Sequence, residues 1–461
     1  MYKNIESLPE HIFRAYDIRG VVPSDLNEEV VFNIGLAYGT KAKELNQNVV
    51  AIARDGRLSG PALLAALQKG ILTAGCDVIN IGAVPTPVLY FAAKKLTNGT
   101  GIMLTGSHNP GDYNGLKMTI ADNTLANEEV LELKNLVKSN IFANGHGDVE
   151  YKDVSNSYID YILDRESLDK KLKVVVDAGN GIAGEIALKL FERLGCDVSK
   201  MYCEVDGSFP NHHPDPSKLE NLQDLIEKVK EEKADVGLAF DGDGDRLGLV
   251  TNSGDIIAAD RQLMLYAKDV LETVSGASIL YDVKSTKNID GFIKNLGGRS
   301  EMYKTGHALI KKKMKVDKVD LAGEMSGHVF FNDRWPGFDD GLYTGVRLLN
   351  ILAKTDKNLD QLFMEIPNSI ATPEINIDVS EDEKFKIVNT ILETCQKEFS
   401  NAKIIDIDGV RVEFEKGWAL LRASNTTPCL VLRFEADNAK QLDIVRSEFM
   451  AVVNKVLKSF G

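Results

Sequence analysis

Val174-Val175-Val176-Asp177-Ala178-Gly179 is a β-branched apolar run that stops on a carboxylate and a glycine. A short run of this kind, bounded by turn residues and followed by a helical pattern, reads as a buried strand. The same reading applies to Val49-Val50-Ala51-Ile52-Ala53-Arg54-Asp55-Gly56 and to Ile279-Leu280-Tyr281-Asp282-Val283-Lys284-Ser285. Asp55, Asp177 and Asp282 stand 122 and then 105 residues apart. A glycine stop and a second strand follow at Gly75-Cys76-Asp77-Val78, at Gly195-Cys196-Asp197-Val198 and, less fully, at Gly297-Gly298. Strand, helix, glycine and strand, three times over, predict three related α/β domains with largely parallel mixed sheets.

A second repeat lies outward from the first. Gly101-Ile102-Met103-Leu104 runs into Thr105-Gly106-Ser107-His108-Asn109-Pro110. Ala234 to Phe240 runs into Asp241-Gly242-Asp243-Gly244-Asp245-Arg246, and Val319 to Ala322 into Gly323-Glu324-Met325-Ser326-Gly327-His328. Ligands of open α/β sheets bind beyond the carboxyl ends of strands, so three equivalent loops could face one shared cleft.

The pattern changes near Asn368. Ser380 and Glu383 have capping-box spacing before a helix with the stripe Phe385, Val388, Ile391, Leu392, Cys395 and Phe399. Hairpin signals follow at Asp408-Gly409 and Lys416-Gly417, and a last amphipathic helix carries Leu442, Val445, Phe449, Val452 and Val456. These features predict a smaller C-terminal α+β domain. The domains expected are 1–151, 152–254, 255–367 and 368–461, in keeping with a chain of 461 residues. Ile366-Pro367-Asn368-Ser369-Ile370-Ala371-Thr372-Pro373 reads as a hinge before the last.

Lys and Arg number 54 against 68 Asp and Glu, a net charge of −14, which disfavours nucleic acid as a partner. No run approaches 18 apolar residues, and the polar N-terminal stretch lacks a signal-like core, so neither a membrane span nor export is expected. Five scattered cysteines without a Cys-x-x-Cys disfavour a disulfide framework or a zinc site. The expectation is a reduced cytoplasmic enzyme.

Asp241-Gly242-Asp243-Gly244-Asp245 carries the clearest chemistry. Three carboxylates in five residues repel one another unless a cation or solvent intervenes, and the glycines let all three turn towards one hard ion. An EF-hand is excluded, since Arg246 would take its sixth place and Asn252 its twelfth. Ser107 at a strand end, with His108 beside it, reads as a nucleophile, although the segment could also be a plain turn. Glu324, Ser326 and His328 suit sugar hydroxyls, which both donate and accept, but again a structural turn is an equal reading. Arg422 with Ser424, Asn425, Thr426 and Thr427 suits a phosphate, against the alternative of a plain polar hairpin tip.

One motif points elsewhere. Gly179-Asn180-Gly181-Ile182-Ala183-Gly184 is a full Gly-x-Gly-x-x-Gly after a strand, with Glu204 a further 20 residues on. It keeps a NAD-dependent dehydrogenase as an alternative, against a reading in which the glycines only let a helix pack closely on its strand.

Together these loops resemble the α-D-phosphohexomutase superfamily, especially its bacterial phosphomannomutase/phosphoglucomutase branch. The resemblance includes Phe13-Arg14-Ala15-Tyr16-Asp17-Ile18-Arg19-Gly20 and spans nearly the whole chain. It implies a heart-shaped arrangement of four domains around a central cleft. It also implies a phosphoserine at Ser107 and Mg²⁺ held by Asp241, Asp243 and Asp245 with an oxygen of that phosphate. By the same resemblance Arg19, Lys117 and His328, with His108, are candidates for catalysis. Tyr16, Arg246, Lys284, Thr305, Gly306, His307, Glu324, Ser326, Arg422, Ser424, Asn425 and Thr426 would contact substrate. The implied reaction moves a phosphoryl group between the 1- and 6-positions of mannose or glucose through a hexose 1,6-bisphosphate, which also acts as activator. A monomer is expected, with a dimer as the alternative. Gly106 and Met325 match the mannose/glucose branch, whereas glucosamine-specific relatives tend to have Ala and Gln there. Phosphoglucosamine mutase is therefore the alternative within the superfamily.

Overall fold

A computed structural model describes residues 8–424 and 427–460. Asn425 and Thr426 of the expected phosphate loop lie outside the described residues. The α/β architecture with mixed sheets agrees with the reading from sequence. Each of the three predicted strand–helix–strand units is present as a parallel pair. Val49–Arg54 pairs with Asp77–Ala83 across the helix Gly60–Ala74, and Lys173–Asp177 with Asp197–Met201 across Gly184–Arg193. Ser278–Asp282 pairs with Arg299–Tyr303 across Asn288–Asn295. The glycine stops have a physical reason: Gly75, Gly195 and Gly297 hold φ values of 90°, 100° and 79°, which β-carbons disfavour.

In the first sheet Gly101–Leu104 lies parallel to Val49–Arg54 and antiparallel to Tyr113–Ile120. In the second, Val236–Phe240 is parallel to Lys173–Asp177 and antiparallel to Leu247–Thr251. Both central strands are fully buried, as their continuous apolar runs require. Each therefore delivers its polar loop at the carboxyl end of a parallel pair. In the third sheet Leu321–Gly323 lies on the other side of Ser278–Asp282 from Arg299–Tyr303.

The chain forms two compact units, and the third segment contributes to both. One unit comprises the chain to Ala259 with His307–Leu321 and Ser326–Met364, and the other Asp260–Gly306, Ala322–Met325 and the chain from Glu365. In the second unit an antiparallel sheet built on Gly417–Ala423 and Cys429–Ala436 packs against the helices Lys384–Glu398 and Ala439–Leu457. Arg411, wholly buried, donates to the carbonyls of Val283 and Ser285 at 2.7 Å each, and its guanidinium lies 3.9 Å from the Trp418 ring centroid. The expected hinge is tied into this unit. Ile370–Ala371 pairs with Cys429–Ala436, and Asn288 donates to Ser369 Oγ at 2.8 Å.

Two local expectations fail. Ser380 does not cap a helix, because the helix starts later, at Lys384, and the Ser380 hydroxyl bonds the Glu383 carboxylate instead of a backbone N–H. In the same helix Phe385 is exposed and Ile387 takes the buried place, which rotates the apolar stripe. No helix among the described residues is long and apolar enough to cross a membrane. The five cysteines are free and buried.

Candidate active site

Two of the predicted loops meet in the first unit. The Ser107 hydroxyl donates to Asp241 Oδ2 at 2.9 Å and lies 3.2 Å from His108 Nδ1. A hydroxyl has one proton, so His108 Nδ1–H is the donor to Ser107. Burial, then the charges of Arg246, Arg19, His328 and Lys117, hold His108 well below the usual imidazole range and keep it neutral.

Asp241, Asp243 and Asp245 are completely buried, and their oxygens lie within 4.8 Å of one another. Burial, followed by the charges of Asp243 and Asp245, pushes the Asp241 carboxyl well above its ordinary range. Lys117, from the neighbouring strand Tyr113–Ile120, places its ammonium 2.7 Å from Asp243 Oδ2 and also bonds Asp245. Burial opposes that charge, but the surrounding carboxylates outweigh it and hold Lys117 above its ordinary value. Thr86 donates its backbone N–H to the Asp243 carbonyl at 2.9 Å and its hydroxyl to Asp243 Oδ2. Asp243 Oδ1 nevertheless stays buried with no hydrogen-bond donor among the described residues. Three buried carboxylates, two of them, Asp243 and Asp245, with an oxygen lacking a hydrogen bond among the described residues, fit an all-oxygen site for a hard divalent cation.

Arg246 closes this loop, donating its N–H to Asp241 Oδ1 at 3.1 Å and its Nε to His328 Nε2 at 3.2 Å. His328 Nε2 also lies 3.3 Å from Asp245 Oδ1, and its Nδ1 lies 3.0 Å from Ser326 Oγ. The later half of the third loop thus reaches the acidic cluster. Arg19 bonds Asn109 Oδ1 at 2.7 Å and Asp17, and Tyr16 meets His307 edge-on at 5.4 Å. His307 Nδ1 stands 3.2 Å from Asp339 Oδ2.

Other predicted residues gather in the second unit. Glu324 accepts the Gly306 N–H at 2.6 Å, and Thr305 bonds both Asp282 and Asp408 at 3.1 Å. Arg422 donates to Asp408 at 3.0 Å, and Lys284 pairs with Glu374 at 2.8 Å. The Ser424 hydroxyl meets that of Thr427 at 2.8 Å.

Several residues that organise these loops were missed. Asp55, closing the Val49–Arg54 strand, accepts from Thr105 Oγ1 at 2.8 Å and from the Gly106 N–H at 3.1 Å. Arg57, two residues on, bonds Asp55 and the carbonyls of Ser107, Asn109 and Tyr113. Asp177 and Asp282 hold matching posts. Asp177 holds His212 at 3.0 Å, and Asp282 accepts the Met325 N–H at 3.2 Å. The threefold recurrence of an aspartate at a strand end was the signal available for them.

The glycine fingerprint serves packing. A β-carbon at Gly184 would stand 2.2 Å from the Cys203 carbonyl oxygen, and one at Gly181 3.0 Å from Gly242 Cα, in the acidic loop. The dehydrogenase alternative is not favoured.

Comparison with known proteins gives the family. Residues 10–144, 156–254 and 258–370 match phosphoglucomutase/phosphomannomutase α/β/α domains I, II and III, and residues 374–452 match the C-terminal domain of that family. The chain is 54% identical over 443 residues to a phosphomannomutase/phosphoglucomutase of Pseudomonas aeruginosa, covering 96% of this chain and 95% of the relative. It is 50% identical over 450 residues to a phosphoglucomutase of Neisseria gonorrhoeae, covering 97% of each. A crystal structure of a phosphoglucomutase/phosphomannomutase family protein from Burkholderia thailandensis is similar with a TM-score of 0.93, at 45% identity and 98% coverage of both chains. With its four domain matches in order and its serine loop set against three buried carboxylates, the chain belongs to the phosphoglucomutase/phosphomannomutase family of the α-D-phosphohexomutase superfamily.

Proposed function

We propose that this phosphohexomutase interconverts the 1- and 6-phosphates of mannose, glucose or both, with Ser107 as the phosphoryl carrier and a hexose 1,6-bisphosphate as intermediate and activator. The observation that carries the residue assignment is the Ser107 hydroxyl, 2.9 Å from a buried carboxylate whose neighbours are clamped by a lysine. When Ser107 bears phosphate its hydroxyl proton is gone, so Asp241 and the phosphate need a cation between them. Asp241, Asp243 and Asp245 would hold Mg²⁺ there with a phosphate oxygen, and the ion would offset charge on the phosphoryl group.

In the first half-reaction a sugar hydroxyl attacks phosphorus. The new sugar O–P bond forms and the Ser107 Oγ–P bond breaks; the sugar hydroxyl's proton passes to a nearby base, and the departing Ser107 Oγ takes up a proton to become the free hydroxyl. Arg246 and Lys117 balance the charge of the transferring group. The intermediate then presents its other phosphate, and Ser107 Oγ recovers a phosphoryl group in the reverse chemistry. Arg19, Lys117, His108 and His328 are the candidates for proton handling. Of these, Lys117 is held charged by its carboxylates and neutral His108 sits against the serine.

The serine loop belongs to residues 1–151, the metal loop to 152–254, the sugar loop to 255–367 and the phosphate loop to 368–461. Tyr16, Lys284, Thr305, Gly306, His307, Glu324 and Ser326 would recognise the sugar, and Arg422, Ser424, Asn425 and Thr426 its non-reacting phosphate. A protein with five buried free thiols suits the cytoplasm.

Gly106, one of the two residues that match the mannose/glucose branch, is held to glycine by packing. A β-carbon there would stand 2.3 Å from Arg57 Cζ, so alanine would displace the guanidinium beneath the serine loop. ³¹P NMR with Mg²⁺, trace glucose 1,6-bisphosphate and each hexose 1-phosphate tests the reading. Mannose or glucose 1-phosphate should give a 6-phosphate resonance, and Ser107→Ala should remove it while the fold persists. No product from either sugar, or turnover by the alanine variant, would refute it.

A further inference from the structure

A cavity of about 240 Å³ opens in the first unit between the helices Thr86–Leu96 and His307–Asp317, and Ser107 and the three clustered aspartates do not line it. Its walls are of two kinds. Tyr90, Met314 and Phe338 supply apolar and aromatic surface. Lys94, Lys311, Lys315 and Lys318 supply four ammonium groups against one carboxylate, Asp122, which already pairs with Lys94 at 2.5 Å and Lys315 at 3.3 Å. Even with Asp122 engaging Lys94 and Lys315 and Asp339 engaging Lys311, the four ammonium groups outnumber the two carboxylates, so this small, half-apolar hollow favours an anion carrying a compact apolar body. The volume falls below the range of about 300–1,000 Å³ usual for drug-sized ligands, so a single ring is the size that fits.

One wall residue, Lys311, connects to the acidic cluster through Asp339 and His328. Lys311 Nζ stands 2.7 Å from Asp339 Oδ1 and 4.0 Å from the centroid of the Tyr90 ring. The other oxygen of Asp339 lies 3.2 Å from His307 and 3.9 Å from His328, which touches Asp245 and Arg246. Tyr90, whose hydroxyl is buried without a hydrogen-bond partner among the described residues, is raised by burial and then by the charges of Asp339, Asp245, Asp243 and Asp17. An anion in the cavity would compete with Asp339 for Lys311.

We propose that this cavity is an effector site for a small ring-bearing organic acid, with its carboxylate or phosphate among the lysines and its ring against Tyr90, Met314 and Phe338. The site is distinct from the substrate subsites assigned above, and its binding test does not depend on them.

¹⁹F NMR with 4-fluorobenzoate and 4-fluorophenyl phosphate, each added to the full-length protein under saturating glucose 1-phosphate, tests this. The lines of at least one probe should broaden twofold or more, and the better probe identifies the head group. Broadening should vanish in Met314→Trp, which fills the cavity, and weaken at least fivefold in Lys318→Glu, an exposed change that spares the fold. The bound probe should also change kcat of the wild-type enzyme at least twofold. No broadening by either probe in the presence of saturating glucose 1-phosphate, or persistence in both variants, would overturn the site. Broadening with kcat unchanged would overturn the coupling through Lys311.

Discussion

Arg57 donates its guanidinium to the carbonyl oxygen of Ser107 at 2.9 Å, and Ser107 holds a positive φ of 48°. A non-glycine residue held in that region needs its surroundings to specify it. Arg57 supplies much of that specification, since it also bonds the carbonyls of Asn109 at 2.6 Å and Tyr113 at 2.9 Å. Its side chain is wholly buried and pairs with buried Asp55 at 3.1 Å.

Arg57→Ala should therefore strike stability and catalysis together. Removing one partner of a buried ion pair leaves an uncompensated charge and costs about 3–5 kcal/mol. Urea denaturation should show a loss of that order. Arg57→Lys should keep most of the charge compensation yet lose the fork, so kcat should fall at least tenfold with a smaller loss of stability. A lysine variant with normal kcat would show that the fork does not position Ser107.

How much of this was legible in the sequence follows from what each residue does. Asp55 and Asp282 were visible as strand ends, because a carboxylate closing an apolar run is a local feature. Their partners were not, since Thr105 and Met325 come from the next strand's loop and the pairing is a property of sheet order. Arg57 was overlooked because one arginine two residues past a strand looks like a solvated side chain. Asp339 and Lys311 had no local signal, as they meet only when a helix start and a distant turn fold together. The failed capping box at Ser380 shows the converse: the spacing was present, but the chain makes one more turn before the helix begins.

Gly242→Ala tests how closely the two loops must approach. A β-carbon at Gly242 would lie 2.3 Å from the Ser107 carbonyl oxygen, a backbone atom already fixed by Arg57. Overpacking of this sort costs about 1–3 kcal/mol. The larger effect should fall on kcat, which is expected to drop at least a hundredfold because Ser107 moves relative to Asp241. Single-turnover kinetics would separate this loss from weaker substrate binding. Unchanged turnover would mean that the loops can separate without harm.

Asp340 gives a prediction for pH. Its carboxyl caps the helix Gly341–Ala353, accepting from the Tyr343 N–H at 2.9 Å and from the Tyr158 hydroxyl, yet burial raises it from 3.8 to about 7. The folded protein binds a proton there that the unfolded chain has already lost. The resulting stability is complete below about pH 4 and disappears as pH rises through about 7. Between pH 5 and pH 8 the wild type should lose roughly 2–3 kcal/mol relative to Asp340→Asn, which keeps an N-cap acceptor but does not titrate. Urea midpoints at the two pH values give the comparison, and parallel changes in both proteins would rule out Asp340 as the source.

Lys117→Ala separates the lysine's electrostatic role from any direct part in proton transfer. Its ammonium is 2.7 Å from Asp243 and bonds Asp245, both wholly buried, so its removal leaves adjacent carboxylates facing each other. The cost without divalent metal should be about 3–5 kcal/mol. A cation held by Asp241, Asp243 and Asp245 would replace the missing charge, so Mg²⁺ should restore much of the lost stability. A ligand at a hundred times its dissociation constant stabilises by about 2.7 kcal/mol through mass action alone. Thermal melts with and without Mg²⁺ should therefore show a larger metal-induced rise in Tm for Lys117→Ala than for the wild type. Asp241→Asn should lose the rise, since it removes a ligand while relieving repulsion. If Mg²⁺ raised Tm equally in all three proteins, the ion would be binding elsewhere and the carboxylate triplet would not be its site.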